Sequence, residues 1–254
     1  MTSFGSLFKV LGRSRFRLVN KIILAELAVI AVTLLWSLAT HGIGDGELIG
    51  VTAAWSAPAI WITFIMLSIE NEHVYTRDTY RLIPIGETQL YLSNLVTTFV
   101  MFIYFGFVQF VLYMITAAAE NSYLTQLLAQ MSGPDYSTLE AAKIAGGVLL
   151  MALAIFIMGW ATISLVHLAV SATNNFLPNV SRRAVDVVLY IIVIYLVTRV
   201  AMFMLHEFNN LGGILSGGQQ TQFLINIAGV LVVALVESVI NVFLLKKWVE
   251  TIPN

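Results

Sequence analysis

Six stretches of about 19 residues or longer, at 22–40, 49–69, 92–119, 144–170, 187–205 and 223–245, are almost wholly apolar. No feature constrains this chain more. A helix rises 1.5 Å per residue, so about 20 residues cross a hydrocarbon core of about 30 Å. The stretches are apolar at successive positions rather than at alternate ones, which selects helices over the strands of a membrane barrel. Charged residues make up 11% of the chain, against about 25% in a typical soluble domain. There is too little charge to coat a globule in water, and the sequence predicts an all-α integral membrane protein with six spans. The third and fourth stretches are long enough to tilt or to project beyond the bilayer.

Cations set the orientation. Eleven of the thirteen Lys and Arg fall on one side: Lys9, Arg13, Arg15, Arg17 and Lys21 before the first span, Arg77 and Arg81 after the second, Arg182 and Arg183 after the fourth, and Lys246 and Lys247 after the sixth. The other two are Lys143 and Arg199, the latter inside a span. The positive-inside rule then places both termini in the cytoplasm. The first apolar stretch is longer than the 7–15 residues of a signal-peptide core and is expected to be retained. Ahead of it, Phe4, Leu7, Phe8 and Leu11 recur at helical spacing among basic residues, predicting an amphipathic interfacial helix over 1–21 on the inner leaflet. Gly133-Pro134-Asp135 signals a turn, and Ser137 with Glu140 fits a capping box at the start of the fourth helix. With no repeat and no Pro- or Ser-rich linker, 1–254 is expected to be a single membrane domain.

Several chemistries are disfavoured at once. The chain has no Cys, so disulfides, thiolate metal sites and cysteine nucleophiles are absent. A net charge of −1 offers no basic field for nucleic acid. His41, His73, His167 and His206 show no ligand spacing, so no metal site is expected. No nucleophile, base or acid pair assembles into a catalytic cluster, and the chain is not expected to be an enzyme. Leu215-Ser216-Gly217-Gly218-Gln219-Gln220 spells the signature of an ABC ATPase, yet no phosphate-cradling Gly-x-x-x-x-Gly-Lys-Ser/Thr loop accompanies it. By the cation count it also lies outside the cell. Gly212-Gly213 and Gly217-Gly218 are expected to be turn residues between the fifth and sixth spans.

Three charges lie within the spans, Glu26, Arg199 and Glu237, each costing about 2.5–3.5 kcal/mol at a helix centre. Glu26 sits within reach of Lys21 and Arg17 and suggests a structural role. Arg199 lies about 18 Å along its helix from Val187, and Glu237 about 13 Å before Lys246. Since the fifth and sixth spans are antiparallel neighbours, an Arg199–Glu237 pair is expected. Ser238 and Asn241, beside Glu237, read as interhelical glue. Trp55, Trp61, Trp160, Tyr104, Gln109 and Tyr113 read as packing or interfacial residues, and Pro58 as a kink in the second span.

The segment 70–91 stands apart. Between two apolar spans it gathers Glu70, Glu72, His73, Tyr75, Arg77, Asp78, Tyr80 and Arg81, then Leu82-Ile83-Pro84-Ile85. Pro84 should end a short helix there. The pattern Glu70-Asn71-Glu72, Thr79-Tyr80-Arg81-Leu82-Ile83-Pro84-Ile85-Gly86 and Tyr91-Leu92-Ser93-Asn94-Leu95 resembles the coupling region of type-2 ABC transporter permeases. That family shows an acidic residue after the second span, a segment ending Leu-Leu-Pro-Ile/Val-Ser and a small or polar opening to the third. Here Asp78-Thr79-Tyr80-Arg81 replaces the usual Gly-Thr-Leu-Glu, and Gly86 stands where Ser is frequent.

The resemblance implies a permease subunit of a bacterial ABC exporter in the cytoplasmic membrane. It would bind no cofactor of its own; ATP and Mg would sit in cytoplasmic ABC ATPase subunits docked on this loop, and a second permease chain, identical or different, would complete the pathway. The coupling role carries over to Glu70, Glu72, Asp78, Arg81, Leu82 and Pro84. A hydrophobic or peptide-like cargo, such as a bacteriocin, lantibiotic or drug, is the implied substrate class. The competing expectation is an ion-coupled secondary carrier using Arg199 and Glu237.

Overall fold

A computed structural model describes residues 4–76, 85–121, 125, 138–174, 182–215 and 219–247. They form six helices: α1 (Phe4–Thr40), α2 (Glu47–Thr76), α3 (Glu87–Ala119), α4 (Thr138–Asn174), α5 (Arg182–Leu215) and α6 (Gln219–Lys247). Each contains one of the apolar stretches, and all six are long and apolar enough to cross a membrane. No strand occurs among the described residues. At 29 to 37 residues, the helices are about 44–56 Å long, well beyond the hydrocarbon thickness, so their ends stand outside the core. The chain has the architecture of an all-helical, multi-pass membrane protein.

Helix boundaries differ from the sequence expectation in three places. The segment 1–21 is not a separate element from residue 4 onward: α1 runs unbroken from Phe4 to Thr40. The reason is a single buried stripe, Leu7, Leu11, Arg15, Val19, Ile23, Glu26 and Ile30, which continues from the basic segment into the span without a change of face. Lys9, Arg13 and Arg17 are exposed. Likewise α2 continues through Glu70 to Thr76. Thr52, Ser56, Ala59, Thr63, Leu67, Asn71, Val74 and Tyr75 form one buried line at helical spacing, and no Gly or Pro interrupts it there. The third difference concerns Gly212 and Gly213, which are helical residues of α5 rather than a turn. Pro58 lies inside α2. Ser137, the Gly133-Pro134-Asp135 turn and Ser216-Gly217-Gly218 lie outside the described residues.

The chain groups into two compact units. One comprises Gly5–Glu70 and Val96–Lys143. Within it, α1 approaches α3 closely at Gly12, where an added Cβ would lie 3.7 Å from Thr97 Cγ2. Phe16 packs on Tyr104 with ring centroids 5.1 Å apart, and the Tyr104 hydroxyl donates to Asn20 Oδ1 at 2.8 Å. The α1–α2 turn needs glycine at Gly42 and Gly46, whose φ angles are 80° and 82°. Two carboxylates then meet the start of α2. Glu47 accepts from Gly44 N and from the Ser37 hydroxyl, while Glu120, at the end of α3, accepts from Leu48 N at 3.1 Å and Ile49 N at 3.2 Å. Glu120 satisfies donors of the first turn, Glu47 ties the preceding turn and α1 to it, and both carboxylates complement the helix dipole.

The other unit comprises Met1–Phe4, Asn71–Leu95 and Ile144–Asn254. Its core includes Tyr75, Tyr91, Leu168 and Leu245, with the two tyrosine rings stacked 5.7 Å apart. Here α5 packs along α6. Towards the other end of α4, Gly147 lets α6 approach so closely that an added Cβ would lie 2.9 Å from Phe223 Cε1.

Candidate functional site

The residues flanking the α2–α3 connection are joined to each other and to α4 by buried hydrogen bonds. Asn71 follows Leu67 by one turn on the buried line of α2, and Asn94 lies on the second turn of α3. The Asn94 side-chain amide donates to the Asn71 carbonyl at 2.8 Å. The Asn71 amide donates to Ser164 Oγ of α4 at 3.0 Å, and that hydroxyl donates onward to Glu72 Oε1 at 2.5 Å. Asn71, Asn94 and Ser164 are no more than 1% exposed, so these groups serve the interior. Buried amides and hydroxyls are costly unless paired, and this chain of bonds holds the ends of α2 and α3 in register with α4. Displacing the connecting segment must therefore either move α4 or break the bonds.

A second chain of bonds lies beside the first. Asn241 of α6 donates to the Tyr91 hydroxyl at 3.1 Å and to the Ala161 carbonyl at 2.9 Å. Tyr91 donates to Ser238 Oγ at 3.2 Å, and Ser238 to the Ala234 carbonyl at 2.7 Å. On α6, Glu237 is buried, and the Thr162 hydroxyl of α4 lies 3.1 and 2.9 Å from its two oxygens. Three helices thus meet through polar atoms over a short length. Next to Tyr91 opens an apolar groove of about 270 Å³ lined by Thr88 and Leu92 of α3 and Leu235, Val239 and Val242 of α6. Ser238 and Asn241 bear out the reading of interhelical glue.

The expected Arg199–Glu237 pair does not form. The half-buried residues of the α5 span, among them Tyr190, Val193, Val197, Ala201 and Met204, recur at helical spacing. Arg199 stands two residues from Val197 and from Ala201, about 200° round the helix, and its side chain is exposed. Proximity in sequence favoured the pair; helical phase forbids it. Glu26 likewise takes other partners than the basic cluster, since Lys21 and Arg17 are exposed. Its Oε2 accepts from the Gln109 amide at 2.5 Å, and the Ser56 hydroxyl lies 3.0 Å from its Oε1 and 2.8 Å from Gln109 Oε1. This cluster ties α1, α2 and α3 together and supports the structural role assigned to Glu26.

Of the coupling residues, Glu70 and Glu72 are half-buried on the last turns of α2, while Asp78, Arg81, Leu82 and Pro84 lie outside the described residues. No group of three or more metal-ligating side chains occurs among the described residues. Sequence reasoning passed over Thr162 and Ser164, small polar residues in an apolar run; two apart and so about 200° round α4, they reach different helices, Thr162 towards α6 and Ser164 towards α2. Comparison with known protein families, curated proteins and solved structures finds no match.

Proposed function

We propose that this chain is the membrane-spanning permease subunit of an ATP-driven ABC transporter in a bacterial cytoplasmic membrane. In this reading both termini are cytoplasmic, the basic start of α1 rests against the inner leaflet, and the segment between α2 and α3 docks a separate ABC ATPase subunit that holds ATP and Mg. One observation carries most of the weight: of the residues flanking that segment, Asn94 is bonded to Asn71, and Asn71 in turn to Ser164 of α4. A loop that must pass force into the membrane needs stiff attachments, and buried hydrogen bonds supply them. ATP-driven closure of the docked subunits would shift the loop, and α4 would follow. The differential contact that drives the change belongs to the nucleotide in the ATPase. A hydrophobic or peptide-like cargo is the substrate class that follows from the resemblance of residues 70–95 to the family.

The carrier alternative draws no support from a shared site, because Arg199 is exposed on α5 while Glu237 is buried and held by Thr162 of α4. The proposal is tested by joint purification and by topology. Co-expressed with an ABC ATPase subunit encoded beside it, the chain should retain that subunit in mild detergent. Because the chain has no Cys, Asp78→Cys provides a unique label site. A membrane-impermeant maleimide should spare it in intact cells and react after permeabilisation. Labelling in intact cells, or failure to hold an ATPase, contradicts the proposal.

A further inference from the structure

The outer face of α5 is the least explained surface among the described residues. In the other five spans, 22–28% of the most apolar stretch is buried; in α5, at Val187–His206, none is. On this face Ile192, Tyr195, Leu196 and Phe203 recur at helical spacing, and Tyr195 and Phe203 are 61% and 65% exposed. In their midst is Arg199, exposed and without an ion pair or hydrogen bond among the described residues. It lies seven residues, about 10 Å, from the His206 end of the span and about 18 Å from the other. A guanidinium at that depth, among side chains that face lipid, requires a countercharge or a polar contact.

We infer that this face binds a transmembrane helix of a different polypeptide, one that presents a single acidic side chain at the depth of Arg199. Charge complementarity identifies the partner. A second copy of the chain cannot supply the acid, because the only acidic residues within the six apolar stretches are Glu26 and Glu237. Both are buried and engaged within their own chain, by Gln109 and Ser56 and by Thr162 respectively. A symmetric contact through this face would also set one guanidinium against another. The aliphatic and aromatic neighbours of Arg199 provide the apolar packing, and the ion pair sets register and partner choice. The inference is independent of whether an ATPase drives the chain.

The absence of Cys makes the test direct. The full chain carrying Phe203→Cys is reconstituted in phosphatidylcholine vesicles with a synthetic single-span Leu/Ala peptide. The peptide carries either Glu or Gln at the depth of Arg199 and one Cys about four residues away, towards the nearer membrane face, level with position 203. After mild oxidation, the Glu peptide should give about tenfold more mixed disulfide than the Gln peptide, the scale of a polar interhelical contact in membranes. That excess should vanish with Arg199→Gln, survive Arg199→Lys, and be absent when the cysteine is placed instead at Leu149, an exposed position on α4. Equal yields from both peptides would overturn the inference by showing that Arg199 is satisfied at the headgroups. A disulfide between two copies of the chain, formed whichever peptide is present, would overturn it in favour of self-association.

Discussion

The Ser164 hydroxyl donates to Glu72 Oε1 at 2.5 Å and accepts from the Asn71 amide at 3.0 Å, so one small side chain of α4 binds two consecutive residues of α2. Its removal is expected to be felt at both ends. Ser164→Ala takes one bond from the Asn71 amide and one from Glu72 Oε1, which keep the longer 3.3 Å bond to each other, a loss of about 1–3 kcal/mol. Unfolding in mixed micelles of graded denaturing detergent measures it, and a variant as stable as wild type would show that the bonds contribute nothing net.

Glu26 and Gln109 form the corresponding tie in the other compact unit. Gln109→Leu strands the buried Glu26 carboxyl with only Ser56 beside it, and should destabilise by at least about 1–3 kcal/mol. The double variant with Glu26→Leu removes the stranded group and should recover much of the loss. A double-mutant cycle reads the coupling, and additivity would argue against the contact.

At Gly147, α4 closely approaches the Phe223 ring of α6. A methyl group there would stand 2.9 Å from Phe223 Cε1, inside the contact distance, so Gly147→Ala should cost about 1–3 kcal/mol through forced displacement of the ring. Phe223→Leu in the same chain should relieve it. Persistence of the full defect in the double variant would place the cause elsewhere.

Glu120 accepts hydrogen bonds from two backbone amides at the start of α2, at Leu48 and Ile49. Glu120→Ala is expected to lower stability by about 0.5–2 kcal/mol, as for the loss of a capping group. Glu120→Gln, which keeps an acceptor and loses the charge, should cost less. The same detergent titration ranks the three proteins.

Helix number and type were legible in the sequence because a stretch of 20 apolar residues leaves little alternative to a spanning helix. Helix ends were not. Glu70, Asn71 and Glu72 look like a loop by composition, yet Asn71, Val74 and Tyr75 extend the buried line of α2, and helical phase outranks polarity when no Gly or Pro intervenes. The same reasoning merges the basic start of the chain into α1. Arg199 and Glu237 lie within helices long and apolar enough to cross a membrane, yet they do not pair, since antiparallel adjacency fixes depth but not the face of the helix. Ser164 and Thr162 gave little signal, because a hydroxyl in an apolar run acquires meaning only when its neighbours across the interface are known.

The most direct measurement of the proposed function is ATP hydrolysis by this chain reconstituted in vesicles with the ABC ATPase subunit proposed to dock on it. Neutralising Asp78 and Arg81 together, as Asp78→Asn with Arg81→Ala, should reduce hydrolysis to the level of the isolated ATPase while the complex remains assembled. Hydrolysis unchanged by this double substitution, in a complex that still assembles, would contradict coupling through the segment between α2 and α3.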